Sequence, residues 1–128
     1  MSIAAQLKVL VVDDMTTSRM LVIEALQQIG IRQINYAKDG QDAIKQLTTT
    51  PAHLVISDFE MPGLDGIGLL QTIRSCPPTR NTPFIMVTGR TDRAILERAK
   101  TFGLNNYITK PFTVATMKAA LQAVFKGL

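Results

Sequence analysis

The chain alternates short apolar runs with longer stretches in which apolar residues recur every three or four positions. The short runs cover residues 7–12, 33–37, 53–57, 84–87 and 107–109. Runs of this length predict buried strands, and the recurring positions predict amphipathic helices. The predicted helical stripes are Met20, Ile23, Leu26 and Ile29; Ala43, Ile44 and Leu47; Ile67, Leu69, Leu70 and Ile73; Ala94, Ile95, Leu96 and Ala99; and Val114, Met117, Leu121 and Val124. Repeated β-α units therefore fill the chain.

Strands that alternate with helices of this length imply a parallel sheet, because parallel neighbours need a crossover and that crossover is right-handed. The predicted architecture is a doubly wound α/β fold, with helices on both faces of a five-stranded parallel sheet. No change of composition and no Gly/Ser-rich linker interrupts the pattern, and the longest predicted loop covers residues 75–83. We expect residues 1–128 to form a single domain without an appended effector domain.

Composition excludes several classes of protein. With 46% hydrophobic and 19% charged residues in 128 positions, the chain has the balance of a globular domain that is large enough for one core. No apolar run approaches the roughly 20 residues that cross a bilayer, and the first residues lack the order of a signal peptide. We therefore expect a cytoplasmic protein that does not associate with membranes.

The formal net charge of +4 raises the question of a nucleic-acid partner. Lysine and arginine are spread from Lys8 to Lys126 without a run of three, and aromatic residues do not interleave with them as a base-stacking surface requires. We interpret the charge as a mild bias that favours acidic protein partners, and we predict no nucleic-acid binding.

Polar side chains stand where four of the predicted strands end. Asp13 and Asp14 follow the first strand, Asp58 follows the third, Thr88 the fourth and Lys110 the fifth. In an open α/β sheet, ligands bind outside the carboxyl ends of the strands. We therefore expect these side chains to converge at one edge of the sheet.

The converging groups have a coherent chemistry. Carboxylates brought close together repel one another, and a divalent cation with oxygen ligands relieves that repulsion. Mg²⁺ suits an incomplete set of protein oxygens, because it keeps waters that phosphate oxygens can replace. A carboxylate can also attack phosphorus to form an acyl phosphate, whose charge a lysine, a hydroxyl and the metal would stabilise. The set predicts Mg²⁺-dependent phosphoryl capture.

The same residues have ordinary interpretations. Asp13 or Asp14 can cap the first helix, although Thr16 and Thr17 are available for that role and two adjacent acids exceed it. Lys110 by itself is typical of a solvated lysine, and a threonine at a strand end is common. Only their combination favours a site.

Several short motifs follow one another in a fixed order. They are Val11-Val12-Asp13-Asp14; Asp58 with Met61-Pro62 and Asp65-Gly66 after it; Val87-Thr88-Gly89; and Lys110-Pro111-Phe112. Together they resemble the response-regulator receiver domains, and within that family the stand-alone regulators of chemotaxis. The resemblance runs nearly end to end and includes Arg19 and Tyr107. It implies the flavodoxin-like strand order 2-1-3-4-5.

The resemblance implies the chemistry of the site. Asp58 would accept a phosphoryl group from a phosphohistidine of a sensor histidine kinase. Asp13, Asp14, Asp58 and the backbone carbonyl of Glu60 would hold Mg²⁺, with Asp13 acting partly through water. Lys110 would pair with the phosphoryl oxygens. Such a protein catalyses only its own phosphorylation and dephosphorylation, so we do not expect a dedicated enzyme.

The resemblance also implies a switch. Thr88 would turn inward to bond the phosphoryl group, and Gly89 would leave its approach open. Tyr107 would then change from an outward to an inward rotamer. This change would alter the face formed by the fourth helix, the fifth strand and the fifth helix. The peptide bond before Pro111 is expected to be cis.

Two positions depart from the pattern of the chemotaxis regulators. Glu60 stands where they often carry a neutral amide, and Arg90 lies two positions after Thr88. If both overhang the site, their opposite charges can pair and screen the acyl phosphate from water. We predict slower hydrolysis than in a Glu60→Ala/Arg90→Ala variant.

The output partner stays open at the level of sequence. The resemblance favours a monomer that controls a flagellar motor switch protein, and the alternatives are a phosphorelay intermediate, a phosphate sink or a receiver-like scaffold that is not phosphorylated. An Mg²⁺-dependent phosphohydrolase with an aspartyl-phosphate intermediate is the alternative from another class. That class needs a second Asp two positions after its nucleophile, whereas Met15 follows Asp13-Asp14 here.

Overall fold

The structure is a computed structural model that describes residues 3–89 and 93–128. One parallel sheet has the order β2-β1-β3-β4-β5, and its strands are β1 (Lys8–Val12), β2 (Gln33–Ala37), β3 (Leu54–Asp58), β4 (Phe84–Thr88) and β5 (Asn106–Thr109). The main helices are α1 (Thr16–Ile29), α2 (Gly40–Thr49), α3 (Gly66–Ser75), α4 (Arg93–Thr101) and α5 (Val114–Val124). The predicted doubly wound fold and its strand order are confirmed.

Two apolar clusters cover the two faces of the sheet. Val9 and Val11 of β1 belong to the cluster that also contains the inner residues of α1 and α5. Leu10 and Val12 belong to the cluster with the inner residues of α2, α3 and α4. Successive strand residues point to opposite faces, so a strand covered on both sides must be apolar at every position. This burial explains the continuous apolar runs in the sequence.

The first helix is oriented differently from the prediction. Met20 was placed in the buried stripe, but it is 52% exposed, whereas Val22 and Ala25 are buried beside Leu26. A spacing of three residues falls short of one helical turn by about 60°, so three such steps carry a stripe to the opposite side of the helix. The prediction for Met20 was wrong because its stripe drifted around α1.

Two strands end later than the sequence pattern indicated. β3 and β4 include Asp58 and Thr88 as their last residues, because Asp58 still pairs with Val87 and Thr88 still pairs with Thr109. Two short helical segments, Ile3–Gln6 and the 3₁₀ turn Pro77–Thr79, were not predicted. In the described part of the chain, no helix combines the length and apolar character needed to cross a lipid bilayer.

Candidate functional site

The carboxyl ends of three neighbouring strands place Asp58, Thr88 and Lys110 side by side. The N–H of Phe59 donates to the Val87 carbonyl at 2.9 Å, which continues the ladder between β3 and β4. The N–H of Lys110 donates to the Thr88 carbonyl at 2.8 Å and does the same between β4 and β5. These bonds fix the backbone positions from which the side chains of the site project.

An acidic cluster lies at this edge of the sheet. One carboxylate oxygen each from Asp13, Asp14 and Asp58 lies within 4.8 Å of the others. Asp13 is 2% exposed and the side chain of Asp58 is 11% exposed, whereas Asp14 is exposed at the mouth of the cleft. The structure thus brings Asp58 close to Asp13 and Asp14, from which it is separated by more than forty positions in the sequence.

Lys110 directly follows β5 and lies beside the acidic cluster. Its Nζ lies 3.2 Å from Asp58 Oδ1 and donates a hydrogen bond to Ser18 Oγ at 2.9 Å. The Lys110 side chain is 30% exposed, so the ion pair is partly shielded from water. The peptide bond to Pro111 is cis, as predicted. The contact with Ser18 was not predicted.

The electrostatics of the cluster favour a cation. Burial raises the pKa of Asp58 above its usual value, and the negative charge of Asp13 raises it further, while Lys110 acts in the opposite direction. Three carboxylates meet one directly paired ammonium, which leaves an excess of negative charge in a partly buried space. Closely spaced carboxylate oxygens are the ligands that Mg²⁺ prefers, so these residues fit the predicted metal.

Asp13 is held by its own turn. Its Oδ1 accepts the N–H of Met15 at 3.0 Å, and its carbonyl accepts Nη1 of Arg19 at 2.9 Å. The Arg19 guanidinium lies 4.4 Å from the centre of the Tyr36 ring, a cation–π arrangement. Met15 is the N-cap residue of α1 and makes no side-chain cap bond, so neither of the two threonines that were available for the role is the N-cap. A local role of Asp13 therefore coexists with its place in the cluster.

The segment after Asp58 is shaped by a helix start. Asp65 is the N-cap of α3, and its side chain accepts the N–H of Gly68 at 2.8 Å. The N–H of Gly66 donates to the Phe59 carbonyl at 2.9 Å. A Cβ at Gly66 would lie 2.7 Å from the backbone oxygen of Asp58 and 2.9 Å from Cα of Phe59. Glycine at 66 thus lets α3 approach the backbone that carries the acid.

An open cleft of about 810 Å³ gives access to the cluster. Its lining includes Asp14, Asp58, Glu60, Thr88 and Lys110. Glu60 is exposed, and Thr88 is 2% exposed at the end of β4. Among the described residues, no atom lies within 4 Å of a Cβ built at the neighbouring glycine, Gly89, so the cleft is open there. Arg90 lies outside the described residues.

Tyr107 lies on β5, away from the acidic cluster. Its side chain is 40% exposed. It lines a groove of about 290 Å³ between α4 and β5, together with Arg93, Leu96, Glu97, Lys100 and Thr109. The structure therefore holds Tyr107 at the surface, beside a space that faces α4.

Comparison with known proteins defines the class. The family model described as response regulator receiver domain matches residues 9–122, and the chain belongs to this family. The chain is 52% identical over 128 residues to a protein of Rhizobium etli named "Probable chemotaxis protein CheY", covering 100% of this chain and 99% of the relative. The predicted family resemblance is confirmed.

Solved structures agree with this membership. The crystallized chemotaxis protein CheY4 of Vibrio cholerae superposes with a TM-score of 0.86 at 30% identity, covering 93% of this chain and 98% of the other. The receiver domain of a sensor histidine kinase from Pseudomonas aeruginosa, solved with a magnesium ion coordinated in its active site cleft, gives a TM-score of 0.81 at 26% identity. That match covers 91% of this chain and 94% of the other.

Proposed function

We propose that this chain is a stand-alone two-component response regulator that accepts a phosphoryl group on Asp58 and signals in chemotaxis. The observation that carries the proposal is the position of Asp58, whose Oδ1 lies 3.2 Å from the Lys110 ammonium inside a cluster of carboxylates. A nucleophile, a counter-charge and a set of metal ligands therefore meet in one open cleft. In this proposal the chain is a signalling protein, not a dedicated enzyme.

Asp13, Asp14, Asp58 and the backbone carbonyl of Glu60 would hold Mg²⁺. The mutual distances of the three carboxylates and their excess negative charge support this part of the proposal. The magnesium ion in the related Pseudomonas aeruginosa receiver domain supports it further. When bound, the ion would balance the charge that develops on the phosphoryl oxygens.

Asp58 acts as the nucleophile. Its carboxylate oxygen bonds to phosphorus while the bond from phosphorus to the donor imidazole breaks, and the imidazole keeps the electron pair of that bond. Lys110 pairs with the phosphoryl oxygens, which is a charge-assisted contact in a partly buried space. The open cleft beside Gly89 admits the donor. In the separate hydrolysis step, water attacks phosphorus, the bond from phosphorus to the Asp58 oxygen breaks, and Asp58 leaves as a carboxylate while inorganic phosphate is released.

The switch is proposed to run through β4 and β5. The hydroxyl of Thr88 would bond a phosphoryl oxygen, because Thr88 ends the strand that lies between Asp58 and Lys110. Tyr107 would then leave its surface position for the groove beside α4. Phosphorylation shifts this equilibrium only by the difference in free energy that it gives to the two arrangements.

A sensor histidine kinase would donate the phosphoryl group, and a flagellar motor switch protein would bind the face formed by α4, β5 and α5. The names of the similar chemotaxis proteins support this output. Positively charged residues outnumber negatively charged ones on α4 and α5, and this charge suits an acidic partner segment. The cations are Arg93, Arg98, Lys100 and Lys118, and the acid is Glu97. We propose a cytoplasmic monomer, with phosphorelay and phosphate-sink roles as the alternatives.

Incubation with acetyl phosphate and Mg²⁺ followed by intact-mass measurement tests the function. The protein should gain the mass of one phosphoryl group, and Asp58→Asn should gain none. Asp65→Asn is the matched control, because Asp65 lines the same cleft and an asparagine preserves its cap. Failure of the wild-type protein to form the adduct would refute the proposal, and steady turnover of phosphomonoesters would favour the hydrolase.

The output has its own test. Purified flagellar motor switch proteins from the same genome are measured for binding to the phosphorylated and the unphosphorylated chain. Tighter binding of the phosphorylated form supports the motor-switch role. Equal binding of the two forms, together with transfer of the phosphoryl group to a histidine domain, would support the phosphorelay role.

A further inference from the structure

One contact of the site joins it to the first helix. Lys110 Nζ donates a hydrogen bond to Ser18 Oγ at 2.9 Å, while the same nitrogen lies 3.2 Å from Asp58 Oδ1. Ser18 lies in the first turn of α1, 92 positions before Lys110. The ammonium is therefore held from two sides, by a carboxylate of β3 and by a hydroxyl of α1.

We propose that Ser18 is a positioning residue for phosphoryl transfer, and that its hydroxyl holds the Lys110 ammonium where it can meet a phosphoryl group on Asp58. The inference rests on the proposed function of Asp58 and Lys110. It adds a residue that is not one of the three clustered acids and that would act through the lysine.

The chemistry of the two groups supports this role. A lysine ammonium has three N–H donors, so it can keep Ser18 and Asp58 and still donate to a phosphoryl oxygen. The two contacts exist at the same time in the structure, so Ser18 does not draw the ammonium away from Asp58. Because a hydroxyl is a neutral acceptor, it fixes the position of the ammonium without cancelling the charge that the phosphoryl group needs.

The need for such an anchor follows from the lysine itself. The four-carbon stem of lysine is flexible and loses rotamer entropy when it is held in one position, and the Lys110 side chain is 30% exposed. Without a second acceptor, the ammonium would divide its time between Asp58 and water. Ser18 reduces this freedom before the donor arrives, and preorganised charge is what lowers the barrier of a transfer step.

The first experiment measures the rate of Asp58 phosphorylation by acetyl phosphate at saturating Mg²⁺. Ser18→Ala should lower the rate constant about 5- to 10-fold, which is the effect of losing one hydrogen bond of ordinary net strength. Ser18→Thr should restore most of it, because threonine keeps the hydroxyl. Mg²⁺ affinity should stay unchanged. Ser75→Ala is the matched control, since its hydroxyl also lies on a helix but donates to the Gln71 carbonyl far from the site.

A double-mutant cycle separates positioning from a structural effect. Ser18→Ala should have no further effect on the rate when Lys110 is already alanine, because the residue acts through that lysine. An equal fall in both backgrounds would overturn the inference, and so would a wild-type rate in Ser18→Ala. Equal melting temperatures of the variants would show that the fold is intact.

A second readout does not depend on phosphorylation. The Lys110 ammonium is observed by ¹⁵N NMR in the unphosphorylated protein and assigned by its loss in Lys110→Ala. Its N–H protons should exchange with water several-fold faster in Ser18→Ala than in the wild type or Ser18→Thr. Unchanged exchange would overturn the role of Ser18, even if Asp58 is phosphorylated normally. Absence of the adduct in the wild type would instead refute the proposed function of Asp58.

Discussion

The ammonium of Lys110 lies 3.2 Å from Oδ1 of Asp58, although β4 separates the two strands that lead to these residues. The lysine side chain crosses the end of β4, where Thr88 is buried. A phosphoryl group on Asp58 would therefore lie close to both the Lys110 ammonium and the Thr88 hydroxyl. We expect the reactivity of Asp58 to depend on the charge of Lys110 and on the hydroxyl of Thr88.

The first prediction concerns the cost of burying Asp58. The pKa of the Asp58 carboxyl is higher in the folded protein than the value of about 4 that it has in the unfolded chain. The protonated carboxyl therefore stabilises the fold below the unfolded pKa, and this contribution is lost as the pH rises through the folded pKa. In EDTA, Asp58→Asn should therefore melt at a higher temperature than the wild type at pH 7. The difference should shrink as the pH falls toward 4.

The opposite sign would be equally informative. A lower melting temperature of Asp58→Asn at pH 7 would mean that the attraction of Lys110 outweighs the burial of the carboxylate. Asp65→Asn serves as the control for replacing an acid of the same cleft.

The second prediction concerns the metal. A ligand that binds only the folded state stabilises it by about 2.7 kcal/mol at a concentration of 100 times its Kd. Mg²⁺ should raise the melting temperature of the wild type accordingly, and Asp13→Asn should lose most of that increase. Asp65→Asn should keep it, because Asp65 lies outside the three-acid cluster. An equal Mg²⁺ response in all three proteins would contradict the assignment of the ligands.

The third prediction concerns the close approach at Gly66. A Cβ there meets the backbone of Asp58 and Phe59, which cannot rotate away as a side chain can, so Gly66→Ala should lower the free energy of unfolding by about 1–3 kcal/mol. Urea denaturation measures this loss. Phosphorylation of Asp58 should slow as well, because the end of β3 must shift.

Gly68→Ala is the matched control in the same helix. A Cβ at Gly68 meets the far end of the Leu64 side chain at 2.6 Å, and that side chain can rotate away. The substitution should therefore be tolerated better than Gly66→Ala. Equal destabilisation by both substitutions would show that the contact with β3 has no special weight.

The fourth prediction follows the switch. The chain has no tryptophan and two tyrosines, so Tyr36→Phe leaves Tyr107 as the only emitter of tyrosine fluorescence. In that background, acetyl phosphate with Mg²⁺ should reduce acrylamide quenching of Tyr107 by about twofold, because a side chain that is 40% exposed becomes buried. Thr88→Ala should abolish the change while Asp58 is still phosphorylated, and Thr88→Ser should retain it. Unaltered quenching upon phosphorylation would exclude the movement.

The fifth prediction concerns the lifetime of the phosphoryl group. Glu60 stands exposed on the cleft, and we expect it to pair with Arg90 over the acyl phosphate. The Glu60→Ala/Arg90→Ala variant should lose its phosphoryl group several-fold faster than the wild type, because water reaches phosphorus more easily. Intact mass after removal of the donor measures the decay. Phosphate release at the wild-type rate would disprove the pairing, and the two single variants would show whether the effects are coupled.

The sequence by itself determined the fold and the place of the site. Strands buried on both faces must be apolar throughout, and helices that cover them must be amphipathic, so the alternation of the two patterns was sufficient to predict a parallel doubly wound sheet. In such a sheet the carboxyl ends of the strands share one edge. The convergence of Asp13, Asp14, Asp58, Thr88 and Lys110 followed from that topology without knowledge of any distance.

The tertiary structure alone decided which residues contact one another. Nothing in the local pattern joins Ser18 to Lys110 across 92 positions, because the contact depends on how α1 packs against the sheet. The same holds for Gly66, whose need for glycine arises from the backbone of β3. Exposure of Met20 was also a matter of packing, since periodicity fixes a stripe but the rotation of the helix selects the buried face. Local sequence thus specifies elements and their ends, whereas side-chain partners are set by the docking of one element on another.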